Sequence, residues 1–222
     1  MNWYLITNIA AVILTIVVLL IALAMEDFSF KKISLKHLTV ISTFGAVSVV
    51  LTNIVGYSIP ILGSIRLAFG DWIIFMLGMM FGPLCGVISA ISIDTLGSVI
   101  PNSFGYHAGY MFNKTILGLF GSLVYFSKSN NRLLLKIIIL YSIAYIFQSL
   151  LFNQIWMMSW KGQAAWFDFV AKIIKLPVVL PIYITVTYAT FRTMLPLLNR
   201  WTNVEQIWCF RHKQFNNLQT NI

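Results

Sequence analysis

The sequence predicts an all-α integral membrane protein of seven spans, and three observations carry that reading. Of 222 residues, 59% are hydrophobic and only 9% are charged, against roughly a quarter charged in soluble domains. The mean hydropathy is +0.85. The apolar residues fall into runs of about the 20 residues that cross a bilayer, separated by short polar or Gly/Pro-bearing turns. So few charges cannot cover the surface of a soluble domain of this length, and the spans leave little chain for a soluble catalytic domain.

The first span is Trp3–Met25. An apolar run ending in Ala22-Leu23-Ala24 resembles a cleaved leader, but Met1 to Asn8 lacks the basic residues such a leader needs, so a retained helix is expected. A basic linker over 26–37 carries Lys31, Lys32 and Lys36. The second span covers Leu38–Val55. An uncharged loop with Gly56, Pro60 and Gly63 leads to the third, Ile65–Phe81. Gly82-Pro83 turns the chain into the fourth, Leu84–Ile100. A loop over 101–107 precedes the fifth, Ala108–Phe126. A basic loop leads to the sixth, Leu133–Met158. After a turn at Trp160–Gln163 the seventh runs Trp166–Leu195, with Pro177 and Pro181 inside. A polar tail occupies 196–222. One set of loops and ends collects Lys31, Lys32, Lys36, Lys128, Arg132, Lys136, Arg192, Arg200, Arg211 and Lys213, while the other set holds Lys161. The positive-inside rule makes the first set cytoplasmic, so the N-terminus is expected outside and the C-terminus inside. The net charge of +9 is then an orientation signal, and nucleic-acid binding is not expected. Cys85 and Cys209, with the scattered His37, His107 and His212, give neither a disulfide framework nor metal-ligand spacing. His107 reads as a loop residue.

The remaining polar residues share one depth. Arg66, Asp71, Asp94, Asn113, Lys114, Gln148, Asn153, Gln154, Asp168, Lys172 and Lys175 all fall in the outer parts of five spans. Each charge within a bilayer is costly unless paired or hydrated, so one outward-open cavity is the simplest account. Lys172 and Lys175 lie three apart and share a helix face, so something anionic must stand between them: an aspartate of the chain or a ligand carboxylate. Arginine offers a carboxylate a bidentate fork, lysine a point charge. Trp72, Phe104, Tyr106 and Tyr110 can stack on a flat ring. An aromatic ligand with carboxylate groups fits this set. The alternatives are structural: Arg66 and Lys161 snorkelling to the interface, Asp94 paired with Lys114 between spans, Tyr106 and Tyr110 as interfacial aromatics.

The order S-I-R-L-A-F-G, F-G-P-L-C-G, I-D-T-L-G, G-Y-H-A-G-Y and L-G-L-F-G from Ser64 to Tyr125, followed by L-L-F-N-Q-I-W-M and A-K-I-I-K-L-P-V-V-L-P, resembles the folate-type substrate-binding (S) components of energy-coupling factor (ECF) transporters. The resemblance spans Leu38 to Tyr188. It implies a six-helix bundle, here 38–195, to which residues 1–25 add one N-terminal transmembrane helix. It also implies no catalytic activity, no cofactor and no metal. The implied partners are a transmembrane coupling (T) protein and two cytoplasmic ATPases, the ligand an anionic vitamin such as folate, and the location the cell membrane. Toppling of the S component would carry the vitamin inward. Arg66, Asn153 and Lys175 match substrate-binding positions of the family, and Lys172 stands where an arginine is usual. With Asp71, Asp94, Tyr106, Tyr110 and Lys114 they form the expected binding set. Ser42 and Ala46 match the family's small-residue face for the T protein. Asp71 stands where the family more often has proline, which keeps pantothenate or another vitamin open as ligand. A membrane enzyme acting on lipid headgroups is the rival of another class, and it would need clustered acids or an activated nucleophile.

Overall fold

The computed structural model describes residues 2–28, 35–56, 58–59, 65–66, 69–99, 106–126, 132–200 and 207–210. Lys31, Lys32, Pro60, Gly63, Pro101, Phe104, Lys128, Arg211, His212 and Lys213 lie outside the described residues, as do the side chains of Lys36 and Arg66. Eight α-helices are described: α1 Trp3–Met25, α2 Leu35–Val50, α3 Asp71–Phe81, α4 Pro83–Val99, α5 Ala108–Leu123, α6 Leu133–Ile146, α7 Asn153–Lys161 and α8 Ala165–Asn199. Two π-helical turns, Leu51–Val55 and Phe147–Phe152, extend α2 and join α6 to α7. The chain folds back at Gly162, whose φ of 60° suits glycine, so α8 runs back along α6 and α7.

Two helical stretches are long and apolar enough to cross a membrane, Trp3–Met25 and Leu133–Asn199. Their outer faces are apolar along their length. Helix α1 exposes Leu5, Ile9, Ile13, Ile16 and Leu20, and α8 exposes Phe167, Val170, Ile174, Val178 and Ile182. Water does not tolerate apolar bands of this size on a monomer; lipid does.

The core is built on α3, in which only Trp72 is not fully buried. A helix apolar on all sides belongs in the middle of a bundle. Helices α3, α4 and α5 meet backbone to backbone at glycines. A Cβ on Gly86 would stand 2.7 Å from both Gly78 Cα and Gly118 O. One on Gly78 would collide with Gly118 O, and one on Gly121 with Phe75 O. This is how apolar helices associate where no hydrophobic force separates them from lipid. Helix α1 lies against α4, α5 and α7 through Thr7, Ala11, Thr15, Val18 and Ala22, a mostly small face at helical spacing.

Three expectations are corrected. The third helix begins at Asp71, not Ile65; Ile65–Arg66 instead pairs antiparallel with Ser58–Ile59. Gly70 ends the irregular stretch because neighbours take its backbone groups: its N–H donates to Thr52 Oγ1 at 3.2 Å and its carbonyl accepts from Ser48 Oγ at 2.9 Å. With 11 residues, α3 is about 16 Å long and crosses only half of a bilayer core. The linker over 26–37 is shorter than expected, since α2 starts at Leu35. Its first residue, Glu26, is buried, and Glu26 Oε1 accepts from Leu84 N at 3.2 Å, where the first turn of α4 has N–H groups to satisfy. The last segment is not simply a polar tail. Helix α8 runs to Asn199, and Ile207, Trp208 and Cys209 pack into the core, with Trp208 Nε1 donating to Ser122 O at 3.0 Å.

Candidate functional site

The site begins at the N-terminus of α3. Gly70, held between Ser48 and Thr52, sets Asp71 as the first residue of the helix, where the helix dipole favours a carboxylate. Gln148 reaches it from the second π-helical turn, its Nε2 donating to Asp71 Oδ2 at 3.0 Å. A π turn widens the helix and loosens the carbonyl ladder. Asn113 of α5 takes up the Gln148 carbonyl, its Nδ2 donating at 3.3 Å, while Asn113 Oδ1 accepts from Trp156 Nε1 at 3.0 Å. One polar chain thus ties α3, α5, α6 and α7 together beside Asp71.

Charges gather round this chain in two linked groups. Lys114 of α5 pairs with Asp94 of α4 at 2.9 Å, as the structural alternative anticipated. Lys114, Asp94 and Lys175 all act on Asp71 electrostatically. In the second group Lys161 pairs with Asp168 at 2.7 Å, an ion pair and not snorkelling. Asp168 also acts on Lys172, four residues further along α8, as does Lys175 with the opposite sign. The hydrogen bond described for the Lys172 ammonium is to Met157 Sδ at 2.9 Å, although the residue is only 5% exposed. A thioether is a weak acceptor, and Asp168, the carboxylate that acts on this cation, is already paired with Lys161, so Lys172 is only partly compensated.

Of the expected set, the structure therefore brings together Asp71, Asp94, Lys114, Lys172 and Lys175. Tyr110 joins them within reach of Asp94 and Asp168 and hydrogen-bonded to Trp160, and Tyr106, 49% exposed, lies within reach of Asp94 and Lys114. Asn153 opens α7 with its Oδ1 unbonded among the described residues. Arg66 is described through its backbone alone, on the short strand. Ser42 and Ala46 are both exposed on α2. Gln148 belongs to the site by its bond to Asp71; its depth was a signal, but nothing in the sequence showed the π turn that aims it.

His107 is not a plain loop residue. It is buried and caps α5, its Nδ1 accepting from Gly109 N at 2.9 Å. The proton therefore sits on Nε2, which faces Thr7 Oγ1 at 3.1 Å and Ser159 Oγ at 3.3 Å. Asn8 Oδ1 accepts from Ala108 N at 2.9 Å, so α1 and α7 both fasten the start of α5. Burial holds the imidazole below its ordinary value. As pH falls, the unfolded chain takes the proton first, so stability present above about pH 6.5 declines below it. The thermal midpoint of the purified chain is expected to fall between pH 7 and pH 5, and His107→Gln to flatten that fall. An equal fall in both proteins would remove His107 as its source.

The geometry defines a class first: a helical membrane protein with a buried polar site gathered at one end of its core. No family model matches the chain. Its sequence is 29% identical over 157 residues to the folate transporter FolT of Clostridium novyi (strain NT), covering 68% of this chain and 87% of that protein. Its fold matches a crystal structure of FolT bound with folic acid, with a TM-score of 0.62 and 20% identity, over 72% of this chain and 95% of that one. The resemblance to folate-type S components read from the motifs is supported by both comparisons.

Proposed function

We propose that this chain is the substrate-binding membrane subunit of an ECF-type importer, and that its ligand is folate or a related anionic vitamin. The likeness to a named folate transporter over 157 residues carries the reading. The only partly compensated Lys172 ammonium supports an anionic ligand, since a buried cation without a full partner is retained at a cost. Arg66, Asp71, Asp94, Tyr106, Tyr110, Lys114, Asn153, Lys172 and Lys175 form the binding set. Residues 38–195 make the six-helix unit, with α6 and α7 as one helix, and α1 is the additional span. The N-terminus is outside and the C-terminus cytoplasmic. Ser42 and Ala46 dock on a T protein served by two ATPases, and toppling of the subunit delivers the vitamin. The chain itself catalyses no reaction.

The test is calorimetry on the purified chain without ATP. Folic acid is expected to bind with micromolar or tighter affinity, about 8 kcal/mol or more. Absence of heat from folic acid, pterins and pantothenate alike would reject the reading.

A further inference from the structure

The bond between Gln148 and Asp71 uses one atom of each side chain and leaves one buried acceptor of each unused. Asp71 Oδ1 and Gln148 Oε1 have no hydrogen-bond partner among the described residues. The two residues are only 2% and 8% exposed. Unpartnered buried acceptors are rare and costly, and here two occur on residues that already touch. Both are aimed by special backbone. Asp71 follows the clamped Gly70, whose N–H is held by Thr52 of the first π turn, and Gln148 sits in the second. Such turns cluster at functional sites. Aromatic rings flank the pair: Tyr141, Tyr145 and Tyr183 all lie within electrostatic reach of Asp71, Tyr141 and Tyr145 nearly parallel at 16° and Tyr183 edge-on to both.

We propose that Asp71 and Gln148 are specificity-determining residues that read an N–H-bearing edge of the ligand's flat ring, of the class presented by a 2-amino-4-oxopyrimidine. The Gln148 amide nitrogen is already turned to Asp71 Oδ2, so the atoms left over, Asp71 Oδ1 and Gln148 Oε1, are two neighbouring oxygens that can accept. The complement is a planar group with two neighbouring donors, an exocyclic amine and a ring N–H. A group offering only acceptors would meet repulsion here. Lys172 and Lys175 offer the opposite chemistry, so the site is polarised: donors of the ligand toward Asp71 and Gln148, carboxylates toward the α8 lysines. This deepens the vitamin-binding reading and rests on it.

The test compares folic acid with 2-desamino-2-methylfolic acid, which replaces the exocyclic amine by a methyl group, on the full chain in detergent by calorimetry. The wild-type chain is expected to prefer folic acid by about 10- to 100-fold, the range for leaving a buried acceptor unpaired. Asp71→Asn is expected to weaken folic acid binding and bring the ratio to within about threefold of one. Lys172→Met is expected to weaken both ligands together and keep the ratio. Equal binding of the two ligands by the wild-type chain overturns the proposal, as does a ratio that survives Asp71→Asn, and in both cases folate binding itself stands. If Asp71→Asn does not fold, the wild-type comparison alone decides. No binding of folic acid by the wild-type chain overturns the proposal together with the reading beneath it.

Discussion

Gly118→Leu is expected to leave no folded protein. Gly118 lies where α4 and α5 touch with no side chain between them, and a Cβ placed there collides with the Gly86 carbonyl. The neighbour is backbone on a helix that is itself fixed against Gly78, so nothing flexible can move aside. Even Gly118→Ala is expected to cost about 1–3 kcal/mol, the usual range for overpacking, and leucine considerably more. Size-exclusion chromatography and thermal unfolding in detergent read the outcome. A Gly118→Leu chain that elutes and melts like the wild type would contradict the close packing of α4 on α5.

Lys172→Met is expected to separate binding from stability. The side chain is near in size and keeps the apolar stem, but the buried charge goes. If Lys172 holds a ligand carboxylate, affinity for folic acid should fall by about 2–5 kcal/mol, roughly thirty-fold at the lower end. The unliganded protein should melt at the same temperature or higher, because the cation is buried against a thioether and its removal relieves desolvation. A lysine with a purely structural role predicts the reverse, a loss of stability with affinity unchanged. Calorimetry and a melting curve on the same preparation distinguish the two.

Much of this was legible in the sequence because charge in a bilayer is so heavily penalised. Asp71, Asp94, Lys114, Asp168, Lys172 and Lys175 share a depth on four spans, and that pattern pointed to one site. The pairing of Asp94 with Lys114 was legible as the structural alternative to a ligand role, and the two do pair. Gly78, Gly86, Gly118 and Gly121 stand mid-span in the sequence, where glycine serves close helix packing. What was hidden is local backbone. Hydropathy counts Ile65 to Phe69 as membrane-like, so the short α3 looked six residues longer. Neither π turn leaves a composition signal, since Leu51–Val55 and Phe147–Phe152 read like ordinary helix. The work of His107, Glu26 and Trp208 depends on contacts between residues about 60 to 100 positions apart, and no spacing rule reaches that far.

The π turn in Phe147–Phe152 has a consequence for inheritance. A π turn holds one residue more than the α-helical ladder needs, one codon's worth of chain. Losing that codon would restore an unbroken helix and swing Asn153, Gln154 and Trp156 about 100° round the axis. One reading-frame-preserving deletion would therefore make α7 present a different face, with every one of those side chains still encoded.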